Sequence, residues 1–159
     1  MSIFPTRILL ATDGSEEAAL AAKTAVDIAQ NTGSELHVVH ARFMLPWTDL
    51  RAPQPSTSST VDVEEIEKGV GRWLEEQVEQ IEAQGGKVAQ AHLKLGKPTE
   101  GIITVAEEIV AVAEDIGAGL IVTGSRGLGG LRRALMGSVS DSVVRHTHCP
   151  VLVVRKEKQ

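Results

Sequence analysis

Short apolar runs alternate with helical patterns along the whole of this 159-residue chain, and that alternation restricts the fold more than any other feature. Arg7-Ile8-Leu9-Leu10-Ala11-Thr12 is continuously apolar after its first residue and stops at Asp13-Gly14. Such a run suits a strand buried on both faces of a parallel sheet. Residues 35–41 (ELHVVHA), 87–95, Leu120-Ile121-Val122-Thr123 and 149–154 (CPVLVV) read as four further strands. A helix is predicted from Ser15 to about Asn31, with Ala18, Ala19, Ala22, Val26 and Ala29 as a small-residue face and Gly33 as its C-cap. Residues 61–84 carry Val63, Ile66, Val70, Trp73/Leu74, Val78 and Ile81 at spacings of three and four, opposite a heavily acidic face that reads as solvated. A third helix is expected to open at Pro98 or Thr99 and run to about Gly117, and a fourth begins after Gly137-Ser138.

Strict β-α-β alternation implies an α/β fold: one doubly wound, five-stranded parallel sheet with helices on both faces and right-handed crossovers. No repeat or dividing linker interrupts it, so residues 1–159 are expected to form a single domain. In open sheets of this type, ligands sit beyond the carboxyl ends of the strands, where the strand order reverses. With the order 3-2-1-4-5, the reversal lies between the first and fourth strands. Thr12-Asp13 and Thr123-Gly124 then become neighbours.

The segment after Gly124 suits an anion. The spacing is Gly124-x2-Gly127-x9-Gly137-Ser138, with Arg126, Arg132 and Arg133 inside it and no acidic residue before Asp141. Glycines let a backbone approach a phosphate, and free N–H groups at a helix start point at it. Ser138 is the candidate N-cap, with Asp141 three residues later. No glycine between 124 and 137 precedes a Lys-Ser or Lys-Thr pair, so this is not a Walker A loop. Gly127-Leu128-Gly129-Gly130 also lacks the spacing of a dinucleotide fingerprint.

Composition excludes several classes. The formal charge of 16 − 21 = −5 argues against nonspecific nucleic-acid binding. The single cysteine, Cys149, rules out an intrachain disulfide and fits a reducing compartment. The N-terminal apolar run is too short for a signal peptide and no run approaches membrane-spanning length, so a cytoplasmic protein is expected. The segment 42–60, from Arg42 to Thr60, contains three prolines, Trp47 and a Ser-Thr-Ser-Ser-Thr run, and reads as a flexible insertion or functional flap.

Catalytic constellations are weak. His146-x-His148 lacks an adjacent third metal ligand, and helix C-terminal cations explain it as well. His37 and His40 read as packed or edge residues of the second strand. Cys149, before a proline, reads as a small buried residue, and Ser138 has no evident general base. No catalytic residue and no metal ligand is assigned.

Nearly the whole chain resembles the universal stress protein family, in its ATP-binding branch. The resemblance rests on Ile8-Leu9-Leu10-Ala11-Thr12-Asp13-Gly14-Ser15, Leu36-His37-Val38-Val39-His40-Ala41, Gly124-Ser125-Arg126-Gly127 with Gly137-Ser138-Val139, and His148-Cys149-Pro150-Val151-Leu152-Val153-Val154. It implies that Asp13 reaches the nucleoside and that Ala41, where valine is frequent in the family, lines the adenine pocket. Gly127, Gly137 and Ser138 would hold ribose and phosphates, with Thr12, Thr123, Gly124, Arg126 and Val139 completing the set. The implied ligand is ATP, with Mg2+ as a possible companion of the triphosphate, and cAMP or AMP as the alternative. The implied role is a nucleotide-dependent regulator of stress adaptation, dimeric through the edge strand Val151–Val154. A cAMP sink or sensor, a nucleotidyl-transfer enzyme or weak ATPase, and an interaction module with an empty pocket are the rivals. Glu16 and Glu17, directly after the first strand, would repel pyrophosphate and count against the enzyme.

Overall fold

The computed structural model describes residues 2–43, 63–96, 104–125 and 137–156. The element order is β1 (Arg7–Ala11), α1 (Glu16–Thr32), β2 (Glu35–Phe43), α2 (Val63–Ala83), β3 (Val88–Gly96), α3 (Val105–Ile116), β4 (Ala118–Gly124), α4 (Ser138–His146) and β5 (Val151–Val154). All five strands join one parallel sheet in the order β3-β2-β1-β4-β5, as the alternation implies.

Two apolar layers sandwich the sheet because successive strand residues point to opposite faces. Ile8, Leu10, Leu36, Val38 and Val122 pack against α1 and α2 through Ala21, Ala25, Val26, Leu74 and Ile81. Leu9, Ala11, Val39 and Ile121 pack on the other side against Ile109, Val112 and Ala113 of α3 and Val143 of α4. Because β1 is the central strand, Ile8, Leu9 and Leu10 are wholly inaccessible to solvent.

Helix α1 lies close to the sheet because its buried face is almost entirely alanine. Ala18, Ala21, Ala22, Ala25 and Ala29 are buried with Val26, whereas Ala19, expected on that face, is exposed. Ser15 caps the helix, its Oγ accepting from Ala18 N at 3.1 Å. Gly33 closes it in the left-handed conformation at φ 69°.

Among the boundaries that differ from expectation, three bear on the site. Strand β2 continues to Phe43, paired with β3 as far as Gly96, so Arg42 and Phe43 belong to the sheet. Helix α3 starts at Val105, because Thr104 and Glu107 form a reciprocal capping box that satisfies its first donors. Pro98, Thr99 and Ile102, where the sequence places the start and first turn of this helix, lie outside the described residues. Helix α4 is capped by Gly137, not Ser138. Gly137 takes the extended N-cap conformation without a side-chain cap bond, and Asp141 N donates to Gly137 O at 3.0 Å. Residues 44–62, which hold Trp47 and most of the 42–60 segment, lie outside the described residues.

A polar relay ties β3 to β2. His37 Nε2 donates to the Glu35 carboxylate at 3.2 Å, and His37 Nδ1 stands 3.3 Å from His92 Nε2. The Glu35 carboxylate, which also accepts from Arg7 Nε, is held below its usual range by His37 first and Arg7 second. Burial, then the His37 ring, then Lys94 hold the His92 imidazole below its ordinary value, partly opposed by Asp115.

The alanine face and the histidine relay can each be probed by substitution. Ala25→Leu should destabilise the protein by about 1–3 kcal/mol in urea melts, because the larger side chain cannot fit where α1 meets the sheet. Stability should also fall in acid. An imidazole whose folded pKa is depressed protonates more readily in the unfolded chain, so its contribution is present above about pH 6.5 and lost as pH falls through the folded value. His92→Gln should reduce that slope in thermal melts. It should not abolish it, since burial holds His40 low as well.

Candidate functional site

Strand register brings residues of three strands level near the carboxyl edge of the sheet. Ala11 lies opposite Val39 of β2, and Leu10 opposite Val122 of β4. Counting on, Asp13 comes level with Ala41 on one side, and Thr12 with Gly124 on the other. The residues selected from sequence at the ends of the first, second and fourth strands therefore share one edge.

The turn after β1 is built by its own side chains. Thr12 is buried and its N–H donates to Val39 O at 3.0 Å. Asp13, half-buried, accepts from Ser15 N at 2.9 Å, an Asx-turn that leads directly into the α1 cap. Gly14 adopts φ 80°, and a Cβ there would stand 2.7 Å from Trp73 Cζ2 of α2. Ala41 is half-buried and packs with the α3 and α4 layer.

At the end of β4 the chain is stitched at both ends of the glycine loop. Ser125, buried, donates its N–H to Val154 O at 2.9 Å and its hydroxyl to the Glu17 carboxylate. Gly137 N donates to Ser125 O, and Ser140 Oγ donates to Gly124 O. Thr123 is buried, its hydroxyl directed to Gly124 O at 3.3 Å. These bonds set the first turn of α4 beside the β4 end. Ser138 and Val139 are exposed there. Arg126 and Gly127, with Arg132 and Arg133, lie outside the described residues.

The glycines differ in their reasons. A Cβ on Gly124 would come within 2.9 Å of the Glu17 backbone, so this glycine is required by the packing of α1 on β4. Gly137 has φ −68°, which any residue adopts, so its backbone places no demand for glycine.

Two neighbouring residues gain roles that the sequence did not suggest. Glu17, in sequence only a source of repulsion, accepts the Ser125 hydroxyl. Glu16 meets Lys156 at 2.8 Å, which lowers the Glu16 pKa and raises that of Lys156. Neither pairing has a signal in sequence spacing, because both join α1 to residues more than a hundred positions away. Among the described residues no group of three or more His, Cys, Asp or Glu side chains is placed to hold a metal ion. Nor is any described helix long and apolar enough to cross a membrane.

A parallel sheet reversing between β1 and β4, with capped helix starts on both sides, places the chain among open α/β folds that offer a crevice at the strand ends. It belongs to the universal stress protein family, whose model matches residues 5–155. A universal stress protein of Methanocaldococcus jannaschii is 34% identical over 153 residues, covering 96% of this chain and 84% of the relative. Among solved structures, a universal stress protein in complex with cAMP superposes with a TM-score of 0.66 at 22% identity, covering 96% of this chain and 98% of the other. One from Archaeoglobus fulgidus in complex with dAMP gives 0.62 at 23% identity, covering 96% and 99%.

Proposed function

We propose that this protein binds an adenine nucleotide in the crevice between the carboxyl ends of β1 and β4, and that binding regulates a dimer or a partner surface in stress adaptation. The observation that carries the reading is the stitched loop base. Gly137 N on Ser125 O and Ser140 Oγ on Gly124 O hold the start of α4 beside the strand end that neighbours Thr12-Asp13. By helix geometry the first N–H groups of α4 have no partner within the helix, which suits a phosphate. Asp13 and Ala41, level at the other side of β1, suit the nucleoside. Thr12, Thr123, Ser138 and Val139 border the same edge, and Arg126 and Gly127 belong to the loop between its stitched ends.

ATP is the leading ligand, because a loop with Arg126, Arg132 and Arg133 offers charge for more than one phosphate. Mg2+ would then be held chiefly by the phosphates. cAMP or AMP is the second reading, supported by the cAMP and dAMP complexes of structural neighbours. The role is regulatory in this proposal, since Ser138 lies at an exposed helix start and Ser125 is engaged with Glu17. A cytoplasmic location and a single domain fit the same reading.

The chain is read as a homodimer through β5. This strand ends the sheet beside β4, and Val151, Leu152, Val153 and Val154 are all only half-buried. A half-buried apolar strand at the end of a sheet invites pairing. Val153→Lys should shift the protein to monomer in sedimentation, and an unchanged dimer would remove β5 from the interface.

The nucleotide site is tested at Gly137. Because its φ is ordinary, Gly137→Val should keep the fold, with an unchanged circular dichroism spectrum and thermal midpoint. Its side chain should nevertheless intrude on the phosphates and weaken ATP by at least about tenfold in calorimetry. Equal loss of ATP and cAMP would place the contact at the first phosphate, and loss of ATP alone would place it further out. A folded variant that binds ATP like wild type would overturn the assignment.

A further inference from the structure

The Thr12 carbonyl lies one residue beyond the β1 ladder, at a residue only 9% exposed, where a buried acceptor needs a donor from elsewhere. His40 of β2 supplies it: Nδ1 stands 2.8 Å from Thr12 O. A carbonyl oxygen only accepts, so Nδ1 carries the proton. The imidazole in turn packs on the Trp73 indole, with ring centroids 4.5 Å apart and planes inclined at 55°. Trp73 reaches the same turn from α2, and occupies the space that a side chain at Gly14 would fill. The residues on either side of Asp13 are therefore held by one linked pair of rings, His40 on the carbonyl before it and Trp73 on the glycine after it.

We propose that His40, backed by Trp73, is a positioning residue for nucleotide binding, fixing the turn from which Asp13 meets the nucleoside. The proposal rests on the nucleotide reading above and adds two residues to it that need not touch the ligand. Asp13 already commits a carboxylate oxygen to Ser15 N, so its direction depends on the path of the backbone at residues 12–14. Without a donor at position 40, the Thr12 carbonyl must rotate toward water, and the turn rotates with it. Burial holds the His40 imidazole below its ordinary pKa, so near neutral pH it remains an uncharged donor and puts no competing cation beside Asp13.

The test is calorimetric titration of ATP and AMP into the full-length wild type, His40→Leu and His40→Asn, with thermal midpoints recorded alongside. Leucine keeps the packing on Trp73 but donates nothing, while the asparagine amide can take the place of Nδ1–H. His40→Leu should lose about tenfold affinity for both nucleotides, the factor expected for one hydrogen bond that no longer holds its carbonyl. His40→Asn should recover to within about threefold of wild type. A second readout spares His40 altogether: in Trp47→Phe, which leaves Trp73 as the only tryptophan, saturating AMP should shift its emission. Folded His40→Leu that matches wild type, an asparagine variant as weak as leucine, or Trp73 emission that ignores bound AMP would each overturn the role of His40 alone. Wild type that binds neither nucleotide would instead overturn the nucleotide reading, and this inference with it.

Discussion

Parallel pairing of β1 with β2 on one side and β4 on the other is the constraint on which the rest of the structure depends. A parallel strand cannot return by a tight turn, so each pairing demands a crossover, and each crossover here is a helix. Winding outward from β1 in both directions puts α1 and α2 on one face and α3 and α4 on the other. It also leaves the edges at β1's carboxyl end facing helices that depart to opposite sides. In open sheets wound this way a crevice at the strand ends follows from the winding itself, before any polar side chain is chosen.

The helices then decide how closely the edge can be drawn together. An alanine face on α1 lets its first turn approach β4 until Gly124 has no space for a Cβ. That approach lets Glu17 reach the Ser125 hydroxyl and Glu16 reach Lys156 beyond β5. The exposed Glu16–Lys156 pair adds little stability of its own, being open to solvent and salt. The buried Ser125 is different. Its amide, carbonyl and hydroxyl bond to β5, to Gly137 and to α1, so one residue joins three elements at the root of the glycine loop.

The sheet is legible in the sequence because its signals are periodic and summed over many residues. Apolar runs without alternation report the doubly covered strands, and the 3.6-residue stripes of 61–84 and of α3 report the helices between them. Local signals are less secure where two residues compete for one role. The start of α3 is set at Thr104, where a reciprocal box with Glu107 satisfies the first donors. Gly137 wins the N-cap of α4 from Ser138 because the chain must already be extended where it bonds to Ser125. His40 is the furthest from legible. As a residue of a strand it reads as packing, and only the register that sets it beside Thr12 gives its ring a carbonyl to bond.

The glycines show why a motif's spacing is not itself a description of a site. Gly14, Gly124 and Gly137 are indistinguishable in sequence, yet their settings differ. At Gly14 the backbone is left-handed and an indole fills the space. At Gly124 the helix backbone of α1 is in the way, so a substitution there would disturb the fold before it disturbed a ligand. Gly137 has an ordinary backbone angle, and its conformation gives no reason for glycine. The nucleotide proposed above would supply the reason that the conformation of Gly137 does not.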